Sequence, residues 1–204
     1  MKKTSLLIFT LLLFTACSSY KSPDKSIRKF LSLLNKQDYQ NAVMHTSSWK
    51  YYDSGPSMLP IIADLAGSER EVALTNKGTY SCADLEFKMV NSDEKWLIET
   101  VIHPELTVWE FLNCLIRREF TEAKKFVVPE VREEFGIIMS ILASSPQEDL
   151  DKILLKEFSI TDSYINGAEA VVHFTADGED DMYSLYNDND EWLIYYPVTD
   201  FLAE

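Results

Sequence analysis

The chain has 204 residues, 33 Asp and Glu against 19 Lys and Arg, a formal net charge of -14, and 46% hydrophobic residues with only 6 Gly, 7 Pro and 3 Cys. That apolar fraction supports a packed core and excludes long disorder, a collagen-like chain and a disulfide-framework miniprotein, while the length allows one large domain or two small ones. The acidic balance excludes a nucleic-acid binder, which needs clustered Lys and Arg to neutralise phosphates.

Residues 1–16 read as an export signal. Lys2 and Lys3 form a short positive region, an apolar run extends from Leu6 to Phe14, and Thr15-Ala16-Cys17 follows. The run is far shorter than the ~18–20 residues that a membrane-spanning helix needs. A cysteine directly after a small residue resembles the lipobox of bacterial lipoproteins, in which the thiol is acylated and Cys17 becomes the new N-terminus. The resemblance implies a cell-envelope protein whose membrane partner is reached through lipidated Cys17. Ser18 and Ser19 after the cysteine imply the outer membrane rather than the inner. Removal of Lys2 and Lys3 leaves 17 basic against 33 acidic side chains, a net -16. Residues 17–23 are then a short linker.

The rest of the chain repeats itself, which divides it into a first unit over 24–103 and a second over 104–204. Ile27-Arg28-Lys29-Phe30-Leu31-Ser32-Leu33-Leu34, then Asp38-Tyr39 and Ala42, lies over Val108-Trp109-Glu110-Phe111-Leu112-Asn113-Cys114-Leu115, then Glu119-Phe120 and Ala123. Near the end of each unit, Lys95-Trp96-Leu97-Ile98 after Asn91-Ser92-Asp93-Glu94 lies over Glu191-Trp192-Leu193-Ile194 after Asn187-Asp188-Asn189-Asp190.

Ile27, Phe30, Leu31 and Leu34 fall at i, i+3, i+4, i+7, one apolar helical stripe, and Val108, Phe111, Leu112 and Leu115 repeat it. Ser26 and Thr107 stand where N-caps are expected. Met58 to Ala66, Glu130 to Leu142 and Asp149 to Leu155 also read as helical. Period-2 alternation predicts strands over Cys82 to Met89 and Ala168 to Thr175. Asn166-Gly167, Asp177-Gly178 and the Asn187 to Asp190 run are turn signals, so about four antiparallel strands are expected in the second unit and one hairpin fewer in the first.

Helices followed by an antiparallel meander give an α+β class. Phe-Leu-x-x-Leu, a short polar gap, an acidic-aromatic pair, two residues, Ala, and a closing Trp-Leu-Ile strand together resemble the small cone-shaped domains of the NTF2-like superfamily, nearest to the exported DUF4878-like group. The resemblance implies two tandem units with helices packed on a curved sheet. Gln37 and Arg118 stand in the polar gap where that pattern has Gly. It also implies that any pocket lies between helix and sheet, where enzymes of the superfamily place Asp, His or Tyr.

No catalytic set is legible in the sequence. His45, His103 and His173 share no helical i, i+4 face with a carboxylate; His173 is expected on a solvent-facing strand face and the other two at the surface. The acidic turns at Asp177 to Asp181 and Asp188 to Asp190 do not have EF-hand spacing, so no metal or other cofactor is expected. Cys82 and Cys114 have the option of pairing outside the cytoplasm, and Cys114 also reads as a small apolar residue in the place of Leu33. Tyr183, Trp192 and Tyr195, on the last two strands, are candidates for a groove in the second unit, with the first unit as spacer. The leading expectation is a non-enzymatic binding or scaffold module with an unidentified protein or small-molecule partner. The alternatives are a small-molecule-binding or enzymatic domain using a pocket in the second unit, and an acidic inhibitor or immunity-type lipoprotein.

Overall fold

The computed structural model describes residues 21–47, 58–69, 71–75, 77–146 and 155–195. Cys17, the export signal, most of the linker and the helix expected from Asp149 lie outside them. The chain divides into two compact units between Ile102 and His103.

In the first unit, helix α1 (Pro23–Leu34) is followed by α2 (Tyr39–Val43) and α3 (Leu59–Ala66). Strands β1 (Ala73–Leu74), β2 (Tyr80–Cys82), β3 (Leu85–Ser92) and β4 (Lys95–Ile102) form an antiparallel sheet in the order β1-β2-β3-β4. In the second, α4 (Pro104–Ile116), the short α5 (Phe120–Ala123) and α6 (Arg132–Ser144) precede β5 (Phe158–Asn166), β6 (Glu169–Ala176), β7 (Glu179–Asp188) and β8 (Glu191–Tyr195). These four strands are again an antiparallel meander, β5-β6-β7-β8.

The apolar stripes face the sheets. Ile27, Phe30, Leu31 and Leu34 are buried with Ile62 of α3 and Phe87 and Ile98 of the first sheet. Val108, Phe111 and Leu112 are buried with Phe135 and Met139 of α6 and Val172, Phe174 and Leu185 of the second, while Leu115 is half-buried. Each such side chain contributes about 1.5–3 kcal/mol through the apolar area it removes from water.

The units match in backbone detail as well as in sequence. Each opening helix ends in a left-handed residue, Gln37 (φ 57°) and Arg118 (φ 62°), the two positions where the resemblance has Gly. The next amides, of Asp38 and Glu119, donate to the carbonyls of Leu33 and Cys114 at 2.9 and 2.8 Å, so the helix ends keep their acceptors satisfied. An isolated parallel bridge then joins Thr46 to Ile98 in one unit and Val127 to Ile194 in the other. The closing hairpins turn at Asp93-Glu94 and Asn189-Asp190, all four residues with positive φ, as a two-residue turn matched to the strand twist demands.

Four expectations need correction. The first unit lacks no hairpin: it has four strands, but β1 and β2 are only two and three residues long and carry too little alternation to be read. Ala83 belongs to the tight turn between Cys82 and Leu85, with φ 52°, and not to a continuous strand. The β5–β6 turn is Gly167-Ala168, one residue later than Asn166-Gly167, because Asn166 still pairs with Glu169. Ser26 and Thr107 are not N-caps. Pro23 and Pro104 open the helices a turn earlier, where a missing amide hydrogen costs nothing, and Ser22 and His103 take the cap positions.

Candidate functional site

The second sheet has two faces of different chemistry. Its inner rows meet α4: Phe111 lies 5.6 Å from the ring of Tyr183, edge-on at 82°, and 5.8 Å from that of Phe135, while Tyr183 lies 4.9 Å from Phe174. Trp192 is also buried, and it pairs across the ladder with Asn187. At the β5 side, the Ser163 hydroxyl donates to Glu105 Oε1 at 2.6 Å and ties the first turn of α4 to the sheet. Burial raises the Glu105 carboxyl, the Ser163 hydrogen bond opposes that rise, and the neighbouring charge of Asp162 adds to it.

The outer face is built by strand pairing. Tyr164 pairs with Val171, Val171 with Ser184, and Ser184 with Tyr195, giving one row across all four strands. The adjacent row runs Asn166, Glu169, Tyr186, Leu193. Tyr164, Tyr186 and Tyr195 are 67%, 51% and 58% exposed. Together with Glu169, Val171 and Ser184 they line an open depression of about 440 Å³.

The three groove candidates therefore do not converge. Tyr183 and Trp192 point to the core side and Tyr195 to the opposite side, because positions 183 and 184 are neighbours on one strand and Tyr195 pairs with Ser184. The inner side of the second sheet is packed with aromatic rings, and the concavity lies on the face averted from α4. Tyr164, Tyr186 and Glu169 were missed by sequence reasoning. Projecting the alternation through the three hairpins, at the observed register, would have put all three on the face of Tyr195.

His173 is exposed on the outer face, between Asp162 and Met182 in its row. His45 and His103, expected at the surface, are both buried. His103 Nδ1 accepts from the Glu105 amide at 3.3 Å and caps α4. His45 Nδ1 lies 3.4 Å from the buried Ser26 hydroxyl. Burial, with the nearby charge of Lys29 adding to it, pushes the His45 imidazole down to about 4. An unfolded chain takes up that proton near pH 6.5 and the native chain only near pH 4, so stability falls as pH drops through that window. Urea titrations at pH 7 and pH 4.5 should show a loss of about 2 kcal/mol in the wild type that is absent in His45→Gln. An unchanged pH dependence in the variant would mean that His45 is not the titrating group.

Cys82 and Cys114 form no disulfide with each other. Cys114 is pushed up to about 11, first by burial and then by Glu119, Glu110 and Glu122, which opposes thiolate formation and any nucleophilic role. Among the described residues no group of three or more His, Cys, Asp or Glu is placed to hold a metal ion. No described helix is long and apolar enough to cross a membrane. No family model matches the chain, and neither does any curated protein or solved structure.

Proposed function

We propose that the protein is a lipid-anchored recognition module of the bacterial cell envelope. In this reading two tandem NTF2-like units are held on the outer membrane through acylated Cys17, and binding is non-enzymatic. The observation that carries it is the exposed aromatic face of the second sheet. A solvated sheet face normally presents polar side chains opposite its core side, whereas this one presents Tyr164, Tyr186 and Tyr195 around one depression. Tyrosine combines large contact area with few rotatable bonds and a polar tip, which suits it to intermolecular surfaces. The NTF2-like reading is supported by a helical layer over one face of a four-stranded meander in both units.

Two measurements test the reading. Metabolic labelling with a fatty-acid analogue should mark the wild type and leave Cys17→Ser unlabelled, since a hydroxyl forms no thioether; equal label on both would remove the anchor. Tyr195→Ala should melt within about 0.5 kcal/mol of the wild type, as an exposed site does, and should lose partner yield on co-purification from detergent-solubilised envelope. A large stability loss with unchanged yield would make Tyr195 plain structure.

A further inference from the structure

The chemistry of the outer face identifies what it would bind, an inference that rests on the recognition reading above. Glu169 sits directly across from Tyr186 on one side and Asn166 on the other, at Cβ separations of about 5 Å, with Tyr164 diagonal to it. Tyr195 completes the rim through its pairing with Ser184. Tyr186 and Tyr164 flank the Glu169 carboxylate and Tyr195 lines the same depression two strands away, which makes an environment selective for cations: ring faces carry the negative end of a quadrupole, and the carboxylate supplies a full charge. Neutral apolar ligands would have to desolvate Glu169 for no return.

The surrounding charge has the same sign. From Phe158 to Tyr195 the sequence contains nine Asp and Glu and no Lys or Arg. The corresponding stretch of the first unit, 73–102, contains Lys77, Lys88 and Lys95 among its acids, so the one-sided charge is a property of the second sheet and not of the repeat. The repeat offers a second internal control. Positions 182, 184 and 186 align with Glu86, Lys88 and Val90 of the first unit, where charged residues stand in place of Met182 and Ser184.

We infer that this depression binds a lysine or arginine side chain presented by a basic protein partner. A protein partner, and not a free quaternary ammonium compound, fits two observations. The depression of about 440 Å³ is open along the sheet and has room for a whole inserted side chain and its flanks. Carboxylates also stand at both ends of the sheet, Asp177 to Asp181 at one and Glu169 with Asp188, Asp190 and Glu191 at the other, a field that one small cation cannot use and a polybasic surface can.

The test is fluorescence anisotropy with the detergent-solubilised full chain and a labelled arginine- and lysine-rich peptide at 0.15 M NaCl, where exposed charges beyond about 8 Å are screened. Saturable binding is expected, weakened about tenfold in each of Tyr164→Ala, Tyr195→Ala and Glu169→Gln. Glu179→Gln, about 20 Å away along β7, should bind like the wild type. Equal losses in Glu179→Gln and Glu169→Gln would reduce the effect to bulk charge and overturn the site. Saturable binding of choline with none of the peptide would overturn the assignment to a protein partner. If the peptide fails while Tyr195→Ala still lowers envelope partner yield, the cation inference falls and the recognition reading stands. Thermal melts of the four variants confirm that each comparison is between folded proteins.

Discussion

Leu34→Asp is expected to unfold the first unit. Leu34 ends α1 and is 1% exposed, on the stripe formed with Ile27, Phe30 and Leu31. The substitution removes about 2 kcal/mol of apolar burial and adds several kcal/mol for an unpaired charge with no water to solvate it. Their sum is comparable to the ~5–15 kcal/mol total stability of an ordinary domain, so the effect is loss of the fold and not a shifted melting point. Amide exchange followed residue by residue should show α1, β3 and β4 fully unprotected, with β6 and β7 still protected in the second unit. Protection persisting in α1 would mean that the stripe is not the core of its unit.

The stripe was readable because a helix packed on one face needs apolar residues every three to four positions, and α1 and α4 satisfy that twice over. The helix starts were less readable. Ser26 and Thr107 have cap chemistry, but Pro23 and Pro104 have fixed φ and need no amide partner, so the helices extend back to them. Strands β3 and β6 announce themselves by alternation and the other long strands by the repeat and the turn signals, whereas β1 and β2, at two and three residues, contain at most one alternation. The polar gap shows how a position's role outlasts its residue type. Gln37 and Arg118 adopt the left-handed geometry without being glycine, because the turn after the helix requires it and the amides of Asp38 and Glu119 hold it there.

The site was harder to read because a face is a property of register and not of composition. Tyr183, Trp192 and Tyr195 cluster in sequence and separate in space, since adjacent strand positions alternate sides. Tyr164, Glu169, Tyr186 and Tyr195 come from four strands and meet only after three hairpins have set their pairing. Placing the β5–β6 turn at Asn166-Gly167 keeps Tyr164 on the outer face but sets it opposite Glu169 in place of Val171, so the row it joins is fixed only by the observed pairing. His45 and His103 failed for a different reason. Each is buried by groups distant in sequence or by a helix start that moved, and a lone histidine gives no pattern from which burial could be inferred.

Phe111→Ala separates the two faces of the second sheet. The Phe111 ring is fully buried, edge-on to Tyr183 at 5.6 Å and tilted against Phe135 at 5.8 Å. Truncation should cost about 3–5 kcal/mol, from lost transfer energy and from a cavity that rigid aromatic neighbours cannot close. Part of that cost is the aromatic geometry itself, about 0.5–1.5 kcal/mol for each pair. Tyr183 loses its edge contact, yet Tyr186, three residues along β7, projects to the opposite side and keeps its place next to Glu169. The second unit should therefore lose much of its stability in urea titration while the molecules that remain folded bind the basic peptide with unchanged affinity. Tyr195→Ala should do the reverse. A Phe111→Ala protein of near wild-type stability that had lost the peptide would mean that the binding surface lies on the helix side, where Tyr183 and Trp192 point.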